Sequence, residues 1–144
     1  DGPKVIEYNC RFGDPETQVV LPRLKTDLID IICAVRKERL AELPIEWEEE
    51  ACACVVMASG GYPAAYRKGL EIRGLNGDGQ RKDAVIYHAG TALKDGRFYT
   101  NGGRVLGVTA MAPTLNEALD KAYAAVDHIE FKDAHYRRDI GKTK

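Results

Sequence analysis

The spacing of apolar and polar residues changes near residue 50. Between residues 26 and 43, apolar side chains recur every three or four positions, which is the period of a helix with one buried face. Thr26 or Asp27 can cap the start of this helix, and Pro44 closes it. The apolar stripe consists of Leu28, Ile31, Ile32 and Val35. The pattern predicts an amphipathic helix in this first part of the chain.

Beyond residue 50 the pattern is typical of short strands separated by glycine-rich turns. The predicted strands occupy residues 51–59, 70–74, 83–90, 91–100 and 103–112. Asp95 and Gly96 are the residue types that a two-residue hairpin turn requires, so they divide the fourth segment into a hairpin. These features predict a small antiparallel barrel or sandwich.

One further helix is predicted near the C-terminus, over residues 113–131. Thr114 and Glu117 have the spacing of a capping box, in which each side chain binds the backbone of the other residue. The apolar face consists of Leu115, Leu119, Ala122, Val126 and Ile129. We therefore expect an α+β fold in which this helix packs on the sheet. The acidic run at residues 46–50 is the predicted boundary between a region 1–45 and a β-rich region 46–144.

Composition excludes some classes of partner. The chain has 144 residues, with 21 basic and 22 acidic side chains, so no overall field favours nucleic acid or an anionic membrane. No run approaches the roughly 20 apolar residues of a spanning helix, and the start lacks a signal-peptide pattern. Because the sequence begins without Met directly before a predicted strand, we expect it to be a segment of a larger protein.

The cysteines and histidines do not form a recognisable metal motif. Cys52 and Cys54 should share one face of a strand, but no second pair and no nearby His completes a zinc set, so packing is the preferred interpretation. A chain with this much core needs no disulfide framework, so we expect a reducing compartment. The remaining candidates are scattered: Cys10, Cys33, His88, His128 and His135.

The stretch VIEYNCRFGDPETQ, residues 5–18, contains the first candidate site. On a strand, Glu7, Asn9 and Arg11 project from the same face because successive side chains alternate. A carboxylate and an amide oxygen are ligands that Mg²⁺ accepts, and a guanidinium can bind phosphate oxygens. The trio could form one wall of a phosphoryl-transfer site. The alternative is an ion pair between Glu7 and Arg11 that leaves Asn9 without a role.

The stretch TNGGR, residues 100–104, contains the second candidate site. Gly102 and Gly103 lack Cβ atoms, so the backbone before Arg104 can approach an anion closely. Arg97 lies seven residues earlier, across the predicted turn. The alternative is a hairpin with solvated arginines. In HYRRDIG, near the C-terminus, we expect Asp139 to pair with a neighbouring arginine rather than to act in catalysis.

The segment EYNCRFGDPETQ resembles the final strand and loop of ATP-grasp ligases, and in particular of the phosphoribosylamine–glycine ligase family. The resemblance continues along essentially the whole chain and corresponds to the C-terminal third of those enzymes. Its further motifs are LPRLKTDL, VVMASGGYP, YHAGTALKDG, TNGGRVLGVTA and YRRDIG.

The resemblance implies a fold and a set of roles. The expected fold is the end of an ATP-grasp subdomain followed by a small barrel-sandwich hybrid. The implied metal ligands for Mg²⁺ or Mn²⁺ are Glu7 and Asn9, and Arg11 would lie beside the reacting acyl phosphate. Arg104 would bind the ribose 5-phosphate of the substrate, with Arg97 and Gly103 as further candidate contacts.

The implied reaction joins glycine to 5-phosphoribosylamine with ATP as a substrate, in purine biosynthesis in the cytoplasm. The strand lysines, glycine-rich flap and adenine pocket of the family would lie upstream of residue 1, so we expect this chain alone to be inactive and to need that upstream part. Alternatives are another ATP-grasp carboxylate–amine ligase, a biotin-dependent carboxylase fragment, or a β-barrel binding module without catalysis.

Overall fold

The computed structural model describes residues 2–141, which contain three α-helices and six strands. The helices are α1 (Thr17–Val20), α2 (Leu28–Arg36) and α3 (Leu115–Val126), with 3-10 turns at Leu21–Arg23 and Leu40–Glu42. The strands are β1 (Ala51–Ala58), β2 (Glu71–Ile72), β3 (Val85–His88), β4 (Thr91–Lys94), β5 (Arg97–Thr100) and β6 (Arg104–Ala112). Each of the predicted strand segments after residue 50 contains a strand or, at residues 91–100, a hairpin.

The strands form two antiparallel sheets of three strands each. The first has the order β1-β6-β3, and the second has the order β2-β5-β4. The predicted hairpin joins β4 to β5, where Asp95 and Gly96 have φ angles of 49° and 73°. Two successive left-handed residues are the conformation that a tight hairpin turn needs. The hairpin prediction is confirmed, as is the α+β class, whereas closure of the sheets into a barrel-sandwich hybrid stays a prediction.

The hydrophobic core lies between α3 and the sheet formed by β1, β6 and β3. Strand alternation sends every second side chain of β1 towards α3, and β6 is buried along most of its length. The predicted capping box is present, because Thr114 accepts from the Glu117 backbone while Glu117 accepts from the Thr114 backbone. Core side chains on these elements include Val55, Met57, Ile86, Val105, Leu106, Val108, Ala122 and Val126.

The chain after α3 ties the two sheets together. Glu130 forms an antiparallel bridge with Arg73, next to β2, and His135 forms another with Ala58 at the end of β1. The hydroxyl of Tyr123 on α3 donates to the carbonyl of Arg137, at 2.8 Å. These contacts hold residues 130–137 along the edges of both sheets.

The other face of the first sheet is covered by residues 13–23. The thiol of Cys52 on β1 lies 3.9 Å from the carbonyl of Gln18 on α1. A Cβ atom on Gly107 of β6 would lie 3.8 Å from the side chain of Gln18, so α1 also packs over this strand. A bridge between Leu24 and Trp47 continues the attachment. Residues 13–24 therefore pack against the β-rich part of the chain.

Helix α2 differs from the prediction in length and in burial. It begins as expected at Asp27, whose carboxylate accepts from the backbone of Ile29 at 2.7 Å. It ends at Arg36, because Glu38 adopts a left-handed φ of 55° and the Arg39 amide then binds the carbonyl of Ala34. This is a Schellman ending without its usual glycine, so no local sequence signal predicts it. None of the residues of α2 is buried; Leu28 and Ile31 of its apolar stripe are half-buried, whereas Ile32 and Val35 are exposed.

The predicted opening strand is also different in the structure. Residues 2–10 have no strand assignment, and none of the described strands pairs with them. A strand is stabilised by hydrogen bonds to a neighbour, and residues 2–141 provide none for this segment. The expectation that the stretch 5–18 begins as a strand is therefore wrong for the described chain. Within the described range, no helix has the length and apolarity required to span a membrane.

Candidate functional site

Arg104 begins β6 and binds a residue ninety positions earlier in the chain. Its Nη1 donates to the carbonyl oxygen of Asp14 at 2.9 Å, and its Nη2 lies 3.1 Å from the Asp14 carboxylate oxygen Oδ2. Its side chain is 42% exposed, so part of the guanidinium still faces solvent. Arg104 is thus held against the 13–18 loop, and the alternative of a freely solvated arginine does not describe it.

The loop that receives Arg104 is itself fastened. The other carboxylate oxygen of Asp14, Oδ1, accepts from Gln18 Nε2 at 2.9 Å. The carbonyl of Gly13 accepts from the Thr17 amide at 3.1 Å and also from the Thr17 hydroxyl. Both carboxylate oxygens of Asp14 thus have protein donors, Gln18 at Oδ1 and Arg104 at Oδ2. Sequence reasoning overlooked Asp14, although it lies only three residues after Arg11 in the quoted motif.

Glu7, Asn9 and Arg11 lie in the exposed segment just before this loop. The side-chain oxygen of Asn9 accepts from the Arg11 amide at 3.2 Å, and Arg11 Nη1 donates to the Phe12 carbonyl at 2.8 Å. No ion pair joins Glu7 to Arg11 among the residues that the structure describes. The carboxylate of Glu7 remains accessible, and with Asn9 it provides two hard oxygen donors of the kind that Mg²⁺ and Mn²⁺ accept.

The glycines before Arg104 have a packing role in the structure. A Cβ atom on Gly103 would overlap the ring of Tyr62, and one on Gly102 would lie 2.8 Å from the Cα atom of Gly90. Ser59 binds both carbonyls, with its amide 2.8 Å from the Gly103 oxygen and its hydroxyl 2.8 Å from the Gly102 oxygen. The lack of side chains therefore lets the loop pack tightly behind Arg104. Direct contact between Gly103 and a ligand stays a prediction.

Arg97 has a different partner from Arg104. It begins β5, and its Nη1 lies 3.6 Å from the carboxylate of Glu71, which also contacts Arg73 at 3.5 Å. The structure does not give the two predicted phosphate-binding arginines a common partner. Near the C-terminus, Arg137 forms two hydrogen bonds of 3.0 Å to Asp139, which confirms the expected pairing of that carboxylate.

The paired cysteines are consistent with packing. Burial, with a smaller effect from Cys54, raises the pKa of the Cys52 thiol to about 11. Burial also raises the pKa of Cys54. Both thiols are therefore protonated near neutral pH, a state that is a poor nucleophile and a poor metal ligand. Within residues 2–141, no group of three or more His, Cys, Asp or Glu side chains is placed to hold a metal ion.

Comparison with protein families identifies the family to which the chain belongs. The family described as phosphoribosylglycinamide synthetase, C domain, matches residues 52–143. The chain belongs to this family. The matched region contains α3, Arg104 and both sheets except for the first residue of β1, whereas Asp14 and the trio precede it. The resemblance recognised in the sequence is confirmed for the phosphoribosylamine–glycine ligases.

Individual relatives extend this C-domain match to almost the whole chain. The chain is 50% identical over 140 residues to a phosphoribosylamine–glycine ligase of Caldanaerobacter subterraneus. This match covers 97% of the chain and 33% of the relative. The chain is 54% identical over 142 residues to the trifunctional purine biosynthetic protein adenosine-3 of Gallus gallus. This match covers 98% of the chain and 14% of that relative. The chain thus spans about a third or less of these relatives.

A solved structure supports the same relationship. The crystal structure of phosphoribosylamine–glycine ligase from Thermotoga maritima superposes with a TM-score of 0.73 at 36% identity. The match covers 95% of this chain and 33% of that protein. The similarity therefore includes residues before position 52, where the trio and the Asp14 loop lie.

Proposed function

We propose that this chain is part of an ATP-dependent ligase that joins glycine to 5-phosphoribosylamine, with ADP and phosphate as the other products. Relatives named phosphoribosylamine–glycine ligase share about half of their aligned residues with the chain along nearly its whole length. The observation that carries the proposal is the contact between Arg104 and Asp14. It joins the C domain to the loop that directly follows Glu7, Asn9 and Arg11, so one site can draw on both regions.

The trio would serve the phosphoryl-transfer half of this reaction. Glu7 and Asn9 would bind Mg²⁺ or Mn²⁺, and their hard oxygen donors fit either ion. An ion held there would supply positive charge to offset the charge of the ATP phosphates. Arg11 would bind an oxygen of the acyl phosphate formed from glycine, and its fork of donors suits that geometry. No side chain of this chain has to act as a nucleophile, because orientation and charge neutralisation can carry such a reaction.

Arg104 would bind the ribose 5-phosphate of the second substrate. Its guanidinium is partly exposed, and the backbone of Arg104 directly follows the tightly packed glycines. Gly103 and Arg97 are the further candidate contacts, although the salt bridge of Arg97 to Glu71 makes it the weaker of the two arginines for this role. A phosphate bound here would lie near the loop that follows the trio.

The remaining parts of the proposal concern the rest of the enzyme. Residues 1–45 would complete an ATP-grasp domain formed mainly by the upstream part of the same protein, and the two sheets would belong to a barrel-sandwich hybrid. The exposed apolar side chains of Ile6, Tyr8 and Ile29 support such a covering partner. A cytoplasmic location fits a chain of this size whose cysteines have no structural need for disulfides.

Reconstitution tests the proposed reaction. The 144-residue chain, the separately produced upstream part, and their mixture are each assayed for ADP release that requires both glycine and 5-phosphoribosylamine. Only the mixture should be active, because a nucleotide pocket needs walls from both parts. Glycine-dependent ATP turnover by the isolated chain would contradict the division of the site, and an inactive mixture whose full-length counterpart is also inactive would contradict the ligase assignment. In that case a binding module without catalysis would be favoured.

Replacement of Arg104 by alanine tests its place in this reaction. In the full-length ligase, the KM for 5-phosphoribosylamine should rise by roughly 10- to 150-fold, since a charge-assisted hydrogen bond contributes ~1.5–3 kcal/mol. The KM values for ATP and glycine should change little. Arg67→Ala is the matched control, because Arg67 is exposed and has no described ion pair. Equal weakening of all three substrates would show that Arg104 only stabilises the fold.

A further inference from the structure

Asp14 is the one acidic residue in direct contact with Arg104 among the described side chains, and no role follows for it from the proposed reaction alone. It binds the arginine through two different atoms, its backbone oxygen and its carboxylate, and each engages a different terminal nitrogen. A guanidinium held at both Nη atoms cannot rotate freely about its last bonds. Its orientation is therefore set by the loop rather than by β6 alone.

The Asp14 carboxylate that contacts Arg104 is itself held in place by a second hydrogen bond. Oδ1 of Asp14 accepts from Gln18 on α1, and α1 packs over β1 and β6. The carboxylate is thus fixed at one oxygen by Gln18 and at the other by Arg104. Arg97 provides an internal contrast: its contact with Glu71 is longer, at 3.6 Å, and that carboxylate is shared with Arg73.

The donors that remain on Arg104 define what it can bind. A guanidinium has five N–H groups in one plane, and Asp14 accounts for two of them. The remaining N–H groups include the one on Nε, and the partial exposure of the side chain leaves room for a ligand. A tetrahedral dianion such as a sugar phosphate can accept from two neighbouring donors of such a fork.

We propose that Asp14 is a positioning residue that fixes the guanidinium of Arg104 for the phosphate group of a sugar phosphate. This inference rests on the proposed function and adds to it the residue that orients the phosphate-binding arginine. A preorganised side chain loses less conformational freedom when the ligand binds, so the carboxylate increases affinity although its own charge repels phosphate.

The Asp14→Asn variant of the full-length ligase tests this role. Asparagine retains the shape and the backbone oxygen, and it keeps a side-chain acceptor, but it removes the charge that holds Nη2. The KM for 5-phosphoribosylamine should rise about 3- to 10-fold, which is the range expected when a long side chain must be ordered by the ligand. The kcat, the KM values for ATP and glycine, and the melting temperature should stay close to those of the unchanged enzyme.

Two further variants separate positioning from a general loss of charge. In an Arg104→Lys background, Asp14→Asn should change the same KM by less than about 2-fold, because a lysine has no planar fork to orient. Asp83→Asn is the matched control, since Asp83 forms a comparable two-point pair with Arg81 away from this loop. A rise in all three KM values, an additive effect in the lysine background, or tighter binding in Asp14→Asn would overturn the inference.

A binding measurement makes the result independent of catalysis. Calorimetric titration of the same full-length proteins with ribose 5-phosphate should give a dissociation constant that Asp14→Asn raises by the same 3- to 10-fold. If this shift is observed in a protein without ligase activity, the proposed function fails and the positioning role stands. If the ligase is active but neither the KM nor the dissociation constant moves, the positioning role alone is wrong.

Discussion

Residues 2–50 and residues 51–141 contrast sharply in burial. None of the residues in the first region is buried, whereas the second contains the whole described hydrophobic core between its sheet and α3. The first region nevertheless carries large exposed apolar side chains, among them Ile6 at 96% and Tyr8 at 82% exposure. The second region thus contains the described core, while the first carries large apolar side chains that stay exposed within residues 2–141.

The contrast also divides the candidate site. The oxygen donors and Arg11 belong to the exposed region, and Arg104 belongs to the region with the core. The two regions are connected by the contact between Arg104 and Asp14 and by the packing of α1 against β1 and β6. The candidate site thus combines groups from the region with the core and groups from the exposed region.

The largest difference between the regions should appear on truncation of apolar side chains. Leu106 on β6 has an exposed fraction of 0%, so Leu106→Ala should lower the unfolding free energy of this chain by ~2–5 kcal/mol through lost packing and an internal cavity. Urea denaturation of the purified chain measures this effect. Ile32→Ala on the exposed face of α2 is the control and should change the unfolding free energy by less than ~0.5 kcal/mol. Comparable losses would contradict the division.

A second prediction concerns catalysis and folding in the exposed region. In the full-length ligase, Glu7→Gln should lower kcat by ~100- to 1,000-fold, the usual cost of losing one electrostatic contact to a reacting phosphoryl or acyl group. Asn9→Asp should be milder, because an oxygen ligand remains. Melting curves should be unaffected by Glu7→Gln. Normal activity with an unchanged dependence on Mg²⁺ would remove Glu7 from the metal site.

Thiol reactivity offers a third comparison, since each region contains two cysteines. Cys10 and Cys33 are exposed, whereas the pKa of Cys52 is raised from 9.0 to about 11 by burial. At pH 8 the thiolate fraction of Cys52 is therefore about 100-fold smaller than at the ordinary pKa of 9.0, so its alkylation should be slower than that of the exposed cysteines. Mass spectrometry after iodoacetamide treatment at pH 8 measures the rates. The Cys52 rate should rise about tenfold per pH unit below pH 11, and equal rates at all four sites would contradict the burial.

The smallest expected effect concerns the helix caps. Thr114→Ala should lower the unfolding free energy by about 1 kcal/mol, because the cap of α3 belongs to the core-bearing region. Asp27→Ala removes the cap of α2, which has no buried residues, so it should alter local amide exchange and leave the global transition nearly unchanged. Equal shifts of the urea midpoint would indicate that α2 unfolds together with the core.

Sequence patterns predicted the region with the core more completely than the exposed region. Strand alternation, the Asp95–Gly96 turn and the Thr114–Glu117 capping box are local signals, and each has its expected structure. The end of α2 had no such signal, since Glu38 takes the conformation usually reserved for glycine. The residues of the opening segment alternate as in a strand. A strand also needs a neighbour to pair with, and residues 2–141 do not provide one for this segment.

The candidate site shows the same limit. The pattern Glu7-x-Asn9-x-Arg11 identifies suitable donor groups because their spacing is local. The pairing of Arg104 with Asp14 joins residues on different elements, so a periodicity argument contains no information about it. The glycines before Arg104 are predicted to let an anion approach the backbone, whereas the groups that approach them in the structure are Tyr62 and Gly90.

The central pairing of the first sheet has a consequence for how the chain acquires its structure. Strand β1 pairs with β6, with Ala51 opposite Ala112, so nearly all of the β-rich sequence separates the two partners. Contacts between such distant positions slow folding, because closing the long intervening chain costs entropy before the pairing stabilises it. During synthesis, β1 must therefore wait for most of the sequence up to Ala112 to leave the ribosome, whereas the β4–β5 hairpin can form as soon as it appears.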